Sequence, residues 1–218
     1  MRVPTNCVPF DELLKGGLER GSITLLYGEA GTGKTNICLQ IALSVARGGK
    51  KAVVIDTEGI SMDRLNQIAG GDGDELVKRL LLFEPYDFAE QEEMVDNAAR
   101  LAFNNPDVAL IVLDSITMHY RIEIQKDADR PSLVKQITSL LKVARKSHIP
   151  VLLTSQVYTD VSNDEFKPLG GHALMHNAKT VIRLEKVSTG LRRAVVMKHR
   201  SLPEGTCAEF RLTEKGAE

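Results

Sequence analysis

Tryptophan is absent from this 218-residue chain and aromatic residues make up only 5% of it, so a broad stacking platform for bases is a poor fit. Cysteine is equally sparse. Cys7, Cys38 and Cys207 are odd in number, widely spaced and without a Cys-x-x-Cys pair, which supports neither a disulfide framework nor a zinc site and predicts reduced, buried thiols. No uncharged run approaches the roughly 20 residues that cross a bilayer. Met1-Arg2-Val3-Pro4 has no apolar signal core, so a cytoplasmic protein with no membrane contact is expected. A net charge of -1 excludes a globally basic nucleic-acid binder and leaves only a local patch for that role. Internal repeats and low-complexity segments are missing too. Hydrophobic content of 43% and charged content of 26% are ordinary, and the length predicts one α/β domain over residues 1–218.

What is present is concentrated in Gly28-Glu29-Ala30-Gly31-Thr32-Gly33-Lys34-Thr35. The apolar run Ile23 to Tyr27 precedes it as a predicted strand. Ile37, Cys38, Ile41, Ala42 and Val45 follow at helical spacing, which is the context a phosphate-binding loop needs. The three glycines let successive backbone N–H groups point inward around phosphate oxygens at the positive end of the following helix. In that arrangement Lys34 bridges the β- and γ-phosphates and the Thr35 hydroxyl coordinates a magnesium ion. The expected ligands are ATP and Mg2+.

The remaining pattern alternates strands with helices. Pro9 to Lys15 reads as a short helix stopped by Gly16-Gly17. Strands are predicted over Ala52 to Thr57 and Leu80 to Phe83, followed by a helix from the Asp87/Glu90 capping box to about Phe103. Val108 to Leu113 and Pro150 to Ser155 read as strands covered on both faces, with an amphipathic helix between them marked by Leu133, Ile137, Leu140, Leu141 and Ala144. Beyond Ser155 the pattern changes to short strands near Thr180 to Leu184, Ala194 to Lys198 and Ala208 to Leu212, joined by turns without helices. The fold class is therefore a P-loop α/β core, a mostly parallel twisted sheet flanked by helices, with an antiparallel C-terminal extension.

Three polar residues end the predicted strands. Asp114 closes Leu110-Ile111-Val112-Leu113 and is placed to hold the magnesium or its water, although an acid there in isolation is more often a cap. Glu58 follows Ile55-Asp56-Thr57, where a carboxylate can orient and deprotonate the attacking water or simply be a surface residue. Gln156 follows Thr154-Ser155, and its amide can report a γ-phosphate or make a structural hydrogen bond.

The ordered set Gly28 to Thr35, Asp56-Thr57-Glu58-Gly59, Leu113-Asp114-Ser115, Thr154-Ser155-Gln156 and Pro168-Leu169-Gly170-Gly171-His172 resembles the RecA/RadA recombinase family over nearly the whole chain. Leu202-Pro203-Glu204-Gly205 and Leu212-Thr213-Glu214-Lys215-Gly216 strengthen the likeness. Among its archaeal members it is most similar to the short paralogues whose core begins within about twenty residues of Met1. The resemblance implies a sheet order of strands 3-2-4-5-1 followed by 6, 7 and 8, with Glu58 as hydrolytic base alongside Lys34. Gln156 would link the nucleotide to DNA-facing loops near Arg121 to Pro131 and Tyr158 to His176. It also implies weak Mg-dependent, DNA-modulated ATP hydrolysis in homologous recombination and repair. The role would be accessory to a RadA-type recombinase, with a Holliday-junction resolvase as a second partner. The family's separate N-terminal DNA-binding domain and its polymerisation linker have no counterpart in the sequence, which argues against a filament and allows a homodimer.

Tyr158 to His176 carries Asp160, Asp164 and Glu165 against Lys167, a poor composition for gripping phosphates. Lys198-His199-Arg200, grouped with Arg192 and Arg193, is the alternative basic cluster. It reads as a contact to single-stranded and secondarily double-stranded DNA, as a γ-phosphate sensor offered across a subunit interface, or as a solvated edge. Tyr120, Tyr158 and Phe166 are the loop aromatics, read first as packing residues. The alternative functions are an ATP-gated protein-binding module and a RecA-fold signalling ATPase of the clock-protein type.

Overall fold

A computed structural model of the chain describes residues 2–123, 130–160 and 165–218. The elements in order are β1 (Arg2–Val3), α1 (Val8–Leu13), β2 (Leu18–Glu19), β3 (Ile23–Tyr27), α2 (Lys34–Arg47), β4 (Lys51–Asp56), α3 (Met62–Ala69), α4 (Gly73–Val77), β5 (Leu80–Phe83), α5 (Phe88–Asn104) and β6 (Val108–Asp114). They continue with α6 (Met118–Glu123), α7 (Arg130–Ser147), β7 (Val151–Ser155), β8 (Val157–Asp160), β9 (Glu165–Pro168), α8 (Gly171–Asn177), β10 (Thr180–Ser188), β11 (Leu191–Lys198), β12 (Cys207–Thr213) and β13 (Gly216–Ala217).

The main sheet runs β13-β12-β11-β10-β3-β7-β6-β4-β5. This is the order the family resemblance implied, with β13 added at the far edge. The antiparallel part begins one strand later than expected, because β10 still pairs parallel with β3 and only β11, β12 and β13 reverse direction.

The central strands are apolar at every position because both faces are covered, and alternate residues serve different cores. Leu26, Val54, Val112 and Leu152 pack beneath α2 and α3 with Phe10 of α1. Leu25, Val53, Ile55, Leu113 and Leu153 point the other way, against α5 and α7. Helix α5 starts where its cap predicts: Asp87 Oδ1 accepts from Glu90 N at 2.8 Å, while Glu90 Oε2 accepts from Tyr86 N at 2.9 Å, one residue before the usual capping-box partner.

Several expectations need correction. Segments 62–77 and 118–123 are helical. The stretch after β7 holds the β8–β9 hairpin and α8, so it is not a run of strands alone. Helix α8 has too few apolar residues to show a period, and it forms because Leu174 is buried beside Leu133 of α7. Cys7 and Cys38 are buried, but Cys207 is exposed on β12 near the sheet edge. Burial pushes the Cys7 thiol up to about 11, which leaves it inert at neutral pH.

Candidate functional site

Strand register gathers the polar strand ends. Asp56 lies opposite Asp114, Tyr27 opposite Ser155, and Arg183 opposite Tyr27. Chain leaving the carboxyl ends of β3, β4, β6 and β7 therefore converges on one edge, where open α/β sheets bind ligands. The loop from Gly28 to Thr35 occupies the centre of that edge.

Two glycines in the loop are required by geometry. A Cβ on Gly28 would lie 2.3 Å from the Leu184 carbonyl oxygen, a backbone atom that cannot step aside. Gly33 caps α2 at φ 99°, in the left-handed region. Lys34 Nζ donates to Gly28 O at 2.8 Å and Glu29 O at 3.0 Å, and Thr32 Oγ1 donates to Glu29 O at 2.8 Å, so the loop is tied into a ring.

Asp114 is buried at the end of β6, where its carboxylate accepts hydroxyl bonds from Thr154 and Thr35. Burial raises its pKa above the ordinary carboxylate value, against the opposing pull of those hydroxyls. The same burial lowers the pKa of Lys34, although Asp114 and Glu58 act to raise it. Burial thus disfavours the charged form of both groups. A triphosphate beside Lys34 and a divalent cation beside Thr35 and Asp114 would favour the charged form of each. One carboxylate, one hydroxyl and ligand phosphates are the donor set that a magnesium ion in such a loop takes, so the residues fit this cofactor.

Glu58 is exposed, and Gln156 Nε2 donates to its Oε1 at 3.1 Å. The turn that carries Glu58 is held by Asp56, whose carboxylate accepts from the backbone of Glu58 and Gly59 at 3.1 and 3.0 Å. Thr57 Oγ1 accepts from Ser115 N at 2.8 Å and fastens that turn to the end of β6. Gln156 Oε1 is buried without a partner, an acceptor left free in the site. The backbone of Gln156 leads outward: its carbonyl accepts from Leu169 N at 2.9 Å, so the residue facing the nucleotide edge is bonded to the chain that follows the β8–β9 hairpin.

Two cations overhang this edge: Lys186, which sequence reasoning missed, and Arg192, which it had grouped with Lys198. Arg192 Nε donates to Gly31 O at 2.9 Å, and the Lys186 ammonium lies 3.7 Å from where a Gly31 Cβ would be. The signal lay in the β10–β11 turn: β10 runs parallel to β3 and overshoots it, so residues 186 and 192, paired across the hairpin, overhang the loop.

Arg192 is therefore not part of the basic cluster in which the sequence placed it. It is the second residue of β11 and Lys198 the last, about 20 Å apart at a strand's rise per residue. Arg193 pairs with Glu209 at 2.7 Å on the neighbouring strand. Lys198, His199 and Arg200 stand at the opposite edge of the sheet, away from the loop of their own chain. Lys198 Nζ donates to the Met175 carbonyl at 2.6 Å, and Arg200 meets Glu19 at 3.4 Å. His199 Nδ1 accepts from Ser201 N at 3.0 Å, and burial lowers its pKa with help from Arg2.

Of the loops, residues 124–129 and 161–164, with Asp164, lie outside the described residues, as do the side chains of Asp160 and Glu165. Tyr120 is buried beside Phe88 as expected of a packing residue. Tyr158 and Phe166, by contrast, are exposed on the β8–β9 hairpin.

A glycine loop between the first core strand and its helix, an acid on a neighbouring strand end and this strand order define a RecA-like nucleotide-binding α/β fold. Within that class the chain belongs to the Rad51 family, whose model, described as Rad51, matches residues 1–218. Among curated relatives it is 46% identical over 216 residues to DNA repair and recombination protein RadB of Methanococcoides burtonii, covering 97% of this chain and 95% of that one. The RadB proteins of Methanoculleus marisnigri and Archaeoglobus fulgidus are 47% and 39% identical, over 99% and 100% of this chain and 96% and 98% of theirs. A solved structure described as the RadB recombinase superposes with a TM-score of 0.84 at 38% identity, covering 99% of this chain and 98% of that one. Among the described residues no helix is long and apolar enough to cross a membrane.

Proposed function

We propose that this chain is a magnesium-dependent ATP-binding protein of homologous recombination and DNA repair, acting as an accessory to a RadA-type recombinase with weak, DNA-modulated hydrolysis. One observation carries the reading: Lys34, Thr35, Asp114, Glu58 and Gln156 meet at one sheet edge in a chain whose relatives are named as DNA repair and recombination proteins. The loop amides and Lys34 hold the phosphates, while Thr35 and Asp114 hold the magnesium. Glu58 takes the proton of the attacking water. Gln156, bonded to both Glu58 and the backbone before α8, carries the state of the γ-phosphate to the DNA-facing segments.

Hydrolysis is slow because Glu58 is exposed to water and the overhanging Arg192 is already engaged by the Gly31, Ser188 and Leu191 carbonyls. A cation supplied by another subunit, and exclusion of solvent, would each add large factors. The exposure of Glu58 equally favours a second reading, in which bound ATP sets the affinity for protein partners and turnover is incidental.

Glu58→Gln distinguishes the two. Phosphate release should fall roughly 10²- to 10⁴-fold with ATP affinity retained. If repair function in cells falls with it, turnover matters; if repair persists, bound ATP alone suffices. Unchanged turnover would remove Glu58 from the role of base.

A further inference from the structure

The carboxyl ends of α5 and α7 form an unassigned surface on the sheet edge opposite the phosphate loop. Phe103, in the last turn of α5, is 60% exposed, unusual for a phenylalanine in so aromatic-poor a chain. The Lys146 ammonium stands 5.7 Å from its ring centroid. Together they make a ridge between two grooves of about 400 and 300 Å³, the first flanked by Arg100 and Lys142 and the second by Arg20.

Among the described residues Arg20, Arg100, Lys142 and Lys146 make no ion pair. Of the nearby acids, Asp107 pairs with Lys50 at 2.9 Å, and Asp96, which accepts from Ser139 at 3.0 Å, lines the first groove as its one carboxylate against Arg100, Lys142 and Lys146. Arg20 Nε is buried with no partner. Arg20 also follows Glu19, the residue that meets Arg200, so one short segment of chain touches both the second groove and the Lys198–Arg200 segment. Four strand spacings, about 20 Å, separate β11 from β6.

We propose that this edge is a path for single-stranded nucleic acid, with phosphates on Arg20, Arg100, Lys142 and Lys146 and a base stacked on Phe103. The inference rests on the DNA-binding reading above and extends it to residues outside the family loops. Dipole complementation at the end of α7 accounts for Lys146 but not for Arg100, Lys142 or an exposed phenyl ring between them. An acidic helical peptide would need a row of apolar anchors at helical spacing, and the ridge offers one exposed apolar side chain. Cations around a lone aromatic match sequence-independent strand binding instead.

Fluorescence anisotropy of a labelled oligothymidine across a salt series, with the full chain, tests this. Phe103→Leu keeps the apolar bulk and removes the aromatic face, so affinity should fall roughly fivefold or more with the salt slope unchanged. Lys142→Glu with Lys146→Glu should weaken binding and flatten the slope by about 1.4. ATP affinity should stay at the wild-type value in both, because the loop lies at the other edge. Wild-type binding that neither variant changes overturns this path and leaves the DNA reading intact. A wild type that binds no oligothymidine, with or without Mg-ATP, overturns both. Binding of a labelled oligoglutamate peptide that Phe103→Leu abolishes, with oligothymidine binding unaffected, overturns the proposal in favour of an acidic protein partner.

Discussion

The two edges of the main sheet carry charge in opposite ways. At the carboxyl ends of the parallel strands Lys34 and Asp114 are buried, their pKa values displaced toward each other by burial, and the hydroxyls of Thr35 and Thr154 are committed to Asp114. At the other edge Arg100, Lys142 and Lys146 are exposed, and in the Lys198–Arg200 segment Lys198 donates to the Met175 and His176 carbonyls while Arg200 meets Glu19. A buried, mutually dependent set suits one small ligand of fixed shape, since its groups are already hydrogen-bonded to one another and a change in one disturbs the rest. An exposed row of cations binds any polyanion and is screened by salt. The nucleotide edge should therefore fail abruptly on single changes, and the opposite edge gradually.

Lys34→Ala gives the largest expected effect. Loss of its charge-assisted bonds should weaken ATP binding roughly 10- to 100-fold or more, read by calorimetry with magnesium present, with circular dichroism unchanged. Retained affinity would end the contrast, since the buried edge would then not be the ligand site. Lys198→Ala with Arg200→Ala should act on single-stranded DNA instead, lowering the salt slope by about 1.4 for two phosphates lost and leaving ATP affinity alone. An unchanged slope would make that segment a solvated edge or a sensor used across a subunit boundary.

The smallest effect is on stability. A carboxyl whose folded pKa is raised adds nothing when protonated in both folded and unfolded states, and destabilises the fold as pH rises past the unfolded value. Asp114→Asn should therefore raise the melting temperature of the ligand-free protein near neutral pH and flatten its decline above the carboxylate range. Each 1 kcal/mol recovered is worth roughly 2–4 °C in a chain of this size. The same variant should lose the extra stabilisation by Mg-ATP, so a full ligand shift would show that Asp114 does not serve the metal.

Much of the nucleotide edge was readable because its signals are local. The Gly28–Thr35 string encodes its own backbone path, and an unbroken apolar strand announces the acid at its end, as with Leu110 to Asp114. Helices α6 and α8 were missed because short segments gain most of their stability from packing: Leu174 commits α8 only once it lies against Leu133. Arg192 and Lys198 were grouped because six residues separate them in sequence, yet a strand spends those residues crossing the sheet from one edge to the other. Phe103 drew no notice, since nothing local distinguishes an exposed apolar residue at a helix end from a buried one.

The amino-acid sequence alone settled that a glycine loop joins the first core strand to its helix and which strands carry Glu58, Asp114 and Gln156, because backbone conformation at glycine and side-chain periodicity are properties of neighbouring residues. Tertiary structure decided which charges share an edge: Arg192 and Lys186 over the loop, Lys198 against the end of α8 and Arg200 against Glu19. Strand direction and register bring residues together irrespective of their separation along the chain, and they emerge only when both faces of the sheet have found their cover.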